Sequence, residues 1–274
     1  MMQKAKISGS PLCMQINGKQ AVLQKMVYEL RYRRGYVYLD KCGRTLDALV
    51  SRYPEWAPRD DAVSPQNAPL VSFRNRAVLN FSSKKIDLSL EMSSGGNALS
   101  DQDVDAFAAQ GEAVTNLIIE QLGLKDFERI GFRAWYLFPC DHLKEATSWL
   151  TGLKFFNLSE RSRAAFPGEL ESVSLAAVFQ GETNYRIALN QVERTTQVDV
   201  GQEILNVRAS KLHKKQREFF HEQLKVRKRL QENPAFAAMV DIDAFRNDPE
   251  TVAPQEFIKH CMSEFATRIA KIPE

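Results

Sequence analysis

The densest run of acidic side chains is Asp101-Gln102-Asp103-Val104-Asp105, with Glu112 following at the twelfth position counted from Asp101. A calcium-binding EF-hand loop takes Asp at positions 1, 3 and 5, Gly at 6 and a bidentate Glu at 12. Position 6 here is Ala106, which cannot make the sharp turn cheaply, and the apolar spacing is already helical from Val104 onward. The acids read instead as first-turn residues of a helix, where the N-terminal dipole favours negative charge.

Cys140-Asp141-His142 and His260-Cys261 bring together the thiol and imidazole ligands that zinc accepts, but neither pair has the spacing of a common structural site. Both read as core or loop residues, since free cysteine is so often buried. Cys140 with His142 as a nucleophile and base is weaker still, because residues two apart need not face each other and nothing nearby points to a depressed thiol pKa. The chain lacks a Gly-x-Ser-x-Gly elbow, a phosphate-binding Gly-x-x-x-x-Gly-Lys-Ser/Thr loop and a Gly-x-Gly-x-x-Gly fingerprint. No metal, cofactor or catalytic residue is therefore expected. An active site assembled from distant residues would leave no local mark, so the enzyme question stays open and leans towards no.

The strongest functional lead is electrostatic. Between Arg208 and Leu230 there are nine Lys or Arg against two Glu, and Leu212, Phe219, Phe220, Leu224 and Leu230 recur at helical spacing. Lys211, Lys214, Lys215, Arg217, Lys225, Arg227, Lys228 and Arg229 would concentrate positive charge on one helix. Each such residue near a phosphate adds to a salt-dependent affinity. Arg31, Arg33 and Arg133, read as members of strands, are candidates to extend the patch across a sheet face; Arg34, Arg74 and Arg76 stand in the same neighbourhoods. The competing reading is a solvated helix face or a surface for an acidic partner. Phe219 and Phe220 belong to the helix's core stripe on this reading, not to a base-stacking platform.

These residues must be carried by a chain of 274 residues with 44% apolar and 26% charged content and a formal net charge of +3. That composition is ordinary for a globular protein with a substantial core, and the net charge alone does not imply nucleic acid. Cys13, Cys42, Cys140 and Cys261 are widely spread without a Cys-x-x-Cys pair, which favours a reducing compartment. No apolar run approaches the roughly 20 residues of a membrane span, and the first residues lack a secretory pattern. A cytoplasmic location with no membrane partner is expected.

The ordering principle is an echo. Leu30, Tyr32, Arg33 and Tyr36 stand where Ile130, Phe132, Arg133 and Tyr136 stand 100 residues later. After a polar arm (1–25), the first repeat (26–124) reads as follows. A strand with alternating Tyr28, Leu30 and Tyr32 leads to a helix through Leu46, Leu49 and Val50, stopped at Pro54. Strands at 70–73 and 77–81 meet at a turn containing Asn75, and Ile86, Leu88 and Leu90 mark a third. Ser100 with Asp103 forms a capping box for a long helix burying Val104, Phe107, Ala108, Gly111, Val114, Leu117, Ile118 and Leu122, ended by Gly123.

The second repeat (125–274) runs in the same order. The Ile130 strand precedes a helix near 144–150, then strands through Val173–Phe179, Tyr185–Leu189 and Val240–Asp243, and a final helix burying Phe257, Ile258, Cys261, Met262, Phe265 and Ile269. The later strands are offset by 154 residues, so this copy carries an insertion, with the basic segment around 205–234. The expected fold is α+β: a tandem duplication of a strand–helix–strands–helix unit, each antiparallel sheet covered by its long helix. The chain order leaves open whether the halves share one sheet.

Glu29-Leu30-Arg31-Tyr32, Leu49 with Ser51-Arg52-Tyr53-Pro54, and Arg129-Ile130-Gly131-Phe132-Arg133 together resemble the marks of a sporadically distributed prokaryotic family of uncharacterised proteins of about 250–280 residues. The chain has Arg133-Ala134-Trp135-Tyr136 where that family would have Arg-Tyr-Ile-Asn. The resemblance implies no catalytic residues; a patchy distribution implies an accessory role such as phage defence. Taken together, the sequence points to a non-catalytic protein that engages a protein or nucleic-acid partner through the basic helix. The alternative is a small-molecule binder or enzyme with a pocket between sheet and helix, near Trp135 and Tyr136 on opposite faces of their strand. Oligomeric state is not legible.

Overall fold

The computed structural model describes residues 15–59, 63–64, 66–92, 98–155, 165, 170–194, 235–269 and 271. The basic segment 211–229 lies outside them. A small two-stranded ribbon, β1 (Gln15–Ile16) and β2 (Lys19–Gln20), turns at Asn17-Gly18, both with positive φ. The remaining strands are β3 (Val22–Tyr32), β4 (Trp56–Pro58), β5 (Ala68–Ser72), β6 (Val78–Phe81), β7 (Lys85–Glu91), β8 (Phe127–Cys140), β9 (Ser174–Phe179), β10 (Asn184–Arg194) and β11 (Ala235–Asn247). They form one nine-stranded sheet in the order β4-β5-β6-β7-β3-β8-β11-β10-β9, and every neighbouring pair is antiparallel. The halves of the chain therefore share a sheet, joined where β3 meets β8.

The helices are α1 (Tyr38–Arg52), α2 (Asp101–Leu122), α3 (Leu143–Gly152) and α4 (Pro254–Ile269). All four lie on one face. Phe132, Phe138 and the other even-numbered residues of β8 point the same way. Phe132 meets Phe107 of α2 at 6.4 Å and stacks on Phe265 of α4 at 5.8 Å, while Phe138 stacks on Trp149 of α3 at 4.4 Å. Tyr38 of α1 meets Phe81 edge-on at 5.7 Å, and Phe81 sits on the same side through its register with Ile86 and Leu30.

Local signals account for much of this. The Ser100 capping box is present, with Ser100 Oγ accepting from the Asp103 amide and the Asp103 carboxylate accepting from the Ser100 amide, and Gly123 closes α2 in the left-handed conformation. The apolar stripes read for α2 and α4 are all buried. In β3, an irregularity between Leu23 and Lys25 places an extra residue, Gln24, in the strand. That switch of phase lets Leu23 and Met26 both face the helices, at 2% and 0% exposure.

Other elements differ from their expected bounds. β3 stops at Tyr32 because Arg34 turns left-handed and Gly35 opens a 3₁₀ turn (Gly35–Val37) that feeds directly into α1 at Tyr38. Tyr36 consequently lies in that turn, 74% exposed, whereas Tyr136 is buried in mid-strand. The proline-rich loop after α1 conceals β4, whose Trp56 is buried.

The outward strand order β3-β7-β6-β5 matches β8-β11-β10-β9 across the centre, and Leu30 pairs directly with Ile130. The residue-by-residue echo does not extend outward. Leu30 faces Ile86 in β7, but Ile130 faces Arg246 and Val240 faces Tyr136. What recurs among the described residues is this outward strand order, with β4 having no counterpart.

Candidate functional site

With every described helix on one side, the odd-numbered positions of β3, β7, β8 and β11 form the opposite face. Strand alternation places Lys25, Val27, Glu29 and Arg31 of β3 beside Lys85, Asp87, Ser89 and Glu91 of β7, and beside Arg129, Gly131, Arg133 and Trp135 of β8. Asp241, Asp243 and Phe245 of β11 and Arg186 of β10 continue the face.

Its centre is a guanidinium–carboxylate cluster. Asp241 is 2% exposed although no described helix covers it, because Arg133 and Arg186 lie over it. Arg133 donates through Nε and Nη2 to the two carboxylate oxygens at 2.6 and 2.5 Å, and Arg186 Nη1 donates to Oδ2 at 3.3 Å. This bidentate fork fixes orientation as well as charge. The Asp241 carboxylate holds the Arg133 guanidinium above its ordinary range. One step along, Arg129 Nη2 donates to Asp243 at 2.8 Å, and burial pushes the Asp243 carboxyl up while Arg129 opposes the shift.

Aromatic rings sit among these charges. Lys25 Nζ and the Arg133 guanidinium lie 4.6 and 5.2 Å from the Trp135 ring, and Arg129 lies 4.1 Å from Phe245. Gly131 lies between them, where a Cβ would make ordinary contacts with the Arg129 Nε and Nη2 atoms at 3.5 Å and Phe245 Cβ at 3.7 Å. Farther out, Lys25 pairs with Glu91 at 2.9 Å, Arg31 with Glu29 at 2.8 Å and Lys85 with Asp87 at 2.6 Å. Positive and negative groups are interleaved, so the face carries many charges without being a basic surface.

Of the arginines singled out from sequence, Arg31 and Arg133 reach this face and each has a carboxylate partner. Arg33 has left it: beyond the end of β3 it bridges Asp126 at 3.2 Å and Asp248 at 2.7 Å. Sequence spacing does not single out Asp241, Asp243 or Arg186. The only local trace of the acids was the alternation in Val240-Asp241-Ile242-Asp243, which resembles any solvent-facing strand pattern.

The acidic run takes no metal-like arrangement. Asp103 caps α2, Asp105 pairs with Lys259 at 2.8 Å, and Glu112 accepts from the Gln255 amide at 3.0 Å near the start of α4. Among the described residues no group of three or more His, Cys, Asp and Glu could hold a metal ion. His142 is the N-cap of α3, its Nδ1 accepting from the Glu145 amide at 3.0 Å.

Cys140 ends β8, and burial raises its thiol pKa while Lys19 opposes the rise. Cys261 is buried in α4 and burial pushes its thiol up to about 12. A thiol so shielded gives almost no thiolate at neutral pH. Peptide mapping after alkylation of the native protein is expected to find Cys261 unmodified, with full labelling after urea unfolding; native labelling of Cys261 would contradict its place beneath the sheet.

A recess of about 610 Å³ lies between the sheet and α4, lined by Ile130, Arg246, Asp248, Glu256, Phe257 and His260 among others. Arg246 Nε donates to Thr183 Oγ1 across its rim at 2.9 Å. Trp135 and Tyr136 do not share it: Trp135 faces the ion-pair cluster and Tyr136 points into the core against Met262. No protein-family model matches the chain, and no curated protein is significantly similar to it. Among the described residues no helix is long and apolar enough to cross a membrane.

Proposed function

We propose that the protein is a non-catalytic binding protein that engages a macromolecular partner across the sheet face that no described helix covers. The observation that carries this reading is the pre-ordered cluster Arg133–Asp241–Arg186 with Trp135 beside it, on a face no described helix covers. Arg and Trp held in fixed rotamers are the side chains that dominate protein–protein hot spots, because little entropy remains to be lost on binding. The interleaved carboxylates favour a protein over a nucleic acid at this face, since a polyanion would meet Glu29, Asp87, Glu91, Asp241 and Asp243 as well as the cations.

The segment with Lys211, Lys214, Lys215, Arg217, Lys225, Arg227, Lys228 and Arg229 remains a second contact surface on this reading, suited to an acidic partner or to phosphate. The recess beside α4 is where the alternative, a small-molecule site between sheet and helix, would be sought. The matching strand order of the two halves supports an origin by duplication, with the basic segment inserted in the second copy. Membership of the sporadic prokaryotic family, within a larger system, is part of the same proposal.

Ser89 of β7 lies on the proposed surface opposite Val27, and Val27 in turn stands opposite Arg133 of the ion-pair cluster. Ser89→Arg is expected to cut recovery of the native partner at least tenfold, a loss of about 1.4 kcal/mol. The thermal midpoint should stay that of the unmodified protein. Ala109→Arg, on the exposed side of α2, should leave recovery intact. Equal recovery with both variants would argue against the face.

A further inference from the structure

The two ends of the sheet are built differently. At one end, β4 is three residues long, finishes at Pro58 and keeps Trp56 buried. A short edge with a proline is poorly suited to further pairing. At the other end, β9 is six residues, Ser-Leu-Ala-Ala-Val-Phe, without a charge, proline or bulge. Among the described residues β10 is its sole neighbour. Leu175 and Ala177 pack against the core, yet Val178 and Phe179 are 57% and 55% exposed. Among the described residues nothing pairs with the outer side of β9, and an apolar edge of this kind is a ready template for another strand.

We propose that β9 pairs antiparallel with β9 of a second copy, about a two-fold axis passing beside Ala177. A closed two-fold contact must be self-complementary, and this register is. Ala177 meets its own copy, Ala176 lies opposite Val178, and Leu175 lies opposite Phe179. Every one of these pairs is apolar, each small side chain leaves room for its partner, and no like charges meet. Leu175, Ala177 and Phe179 share the helix-covered side by strand alternation. Phe179, open in the single chain, would close over the half-buried Leu175 of the partner and extend the core across the axis. Moving the axis to Ala176 instead sets Phe179 against Val173, which is already buried at 7% and has little surface left to cover. Pairing through Ala177 continues the sheet into the second copy and places both uncovered faces on the same side.

Sedimentation equilibrium of the full chain at tens of micromolar is expected to give twice the 31.2 kDa chain mass. Val178→Lys, which adds the charge that guarded edges carry, should return it to the single-chain mass with unchanged circular dichroism. Ala177→Cys should form a covalent dimer on mild oxidation, because cross-strand Cα atoms at the axis lie within disulfide range. Ser174→Cys should not, since its two copies would sit roughly 20 Å apart at about 3.4 Å of rise per residue. A single-chain mass for the unmodified protein would overturn the proposal and mean that the edge stays free or is taken by something else. Equal crosslinking of Ser174→Cys and Ala177→Cys would overturn the register and with it the two-fold pairing.

Discussion

Phe132→Ala is expected to lower the free energy of unfolding by about 4 kcal/mol, the usual cost of emptying a buried aromatic site. Phe132 is fully buried at the middle of β8, stacked on Phe265 at 5.8 Å and tilted against Phe107 at 6.4 Å. It is thus the contact through which α2, from the first half of the chain, and α4, from the second, rest on one strand. Removing the ring leaves a void with helices on both sides that cannot both collapse into it. Phe132→Leu should cost only about 1–1.5 kcal/mol, because it keeps most of the volume. Urea unfolding followed by circular dichroism measures both. A cost below about 1 kcal/mol for the alanine variant would contradict a core shared by the two halves.

The second large effect concerns the opposite face. Arg133→Met is expected to cost about 3 kcal/mol, because it leaves the Asp241 carboxylate buried with only the longer Arg186 contact. The estimate sits at the low end for a broken buried pair, since the Arg133 side chain is itself 38% exposed and screened by water. Asp241→Leu should cost less than Arg133→Met, because the two arginines it strands can turn to solvent. The double variant should recover much of the loss, since no buried charge then remains unpaired. Thermal unfolding of the four proteins tests this. Strictly additive losses would contradict a mutually dependent pair.

These two sites differ in how legible they are from sequence. The helix stripes, the Ser100 capping box and the Gly123 stop rest on interactions within a few residues, and local spacing reports them faithfully. Phe132 likewise falls on the apolar phase of its strand. The joining of β3 to β8 does not show, because backbone pairing between strands about 100 residues apart leaves no local pattern. Nor does burial of Asp241, which depends on Arg133 reaching it from 108 residues away and Arg186 from 55. In the chain, Asp241 has the same alternation as an acid facing water. Tyr36 departs from Tyr136 for a related reason: it follows a Tyr–Arg pair as Tyr136 follows Arg133, but Gly35 and left-handed Arg34 end the strand first.

The sheet face that no described helix covers is where partner binding is expected, and one measurement addresses it directly. A photo-crosslinking amino acid at Val27, activated in the native cell, should give a single discrete adduct that disappears when Ser89→Arg is added. The same probe at Ala109 should give none. Adduct formation at Ala109 with none at Val27 would contradict a partner-facing role for this side of the sheet.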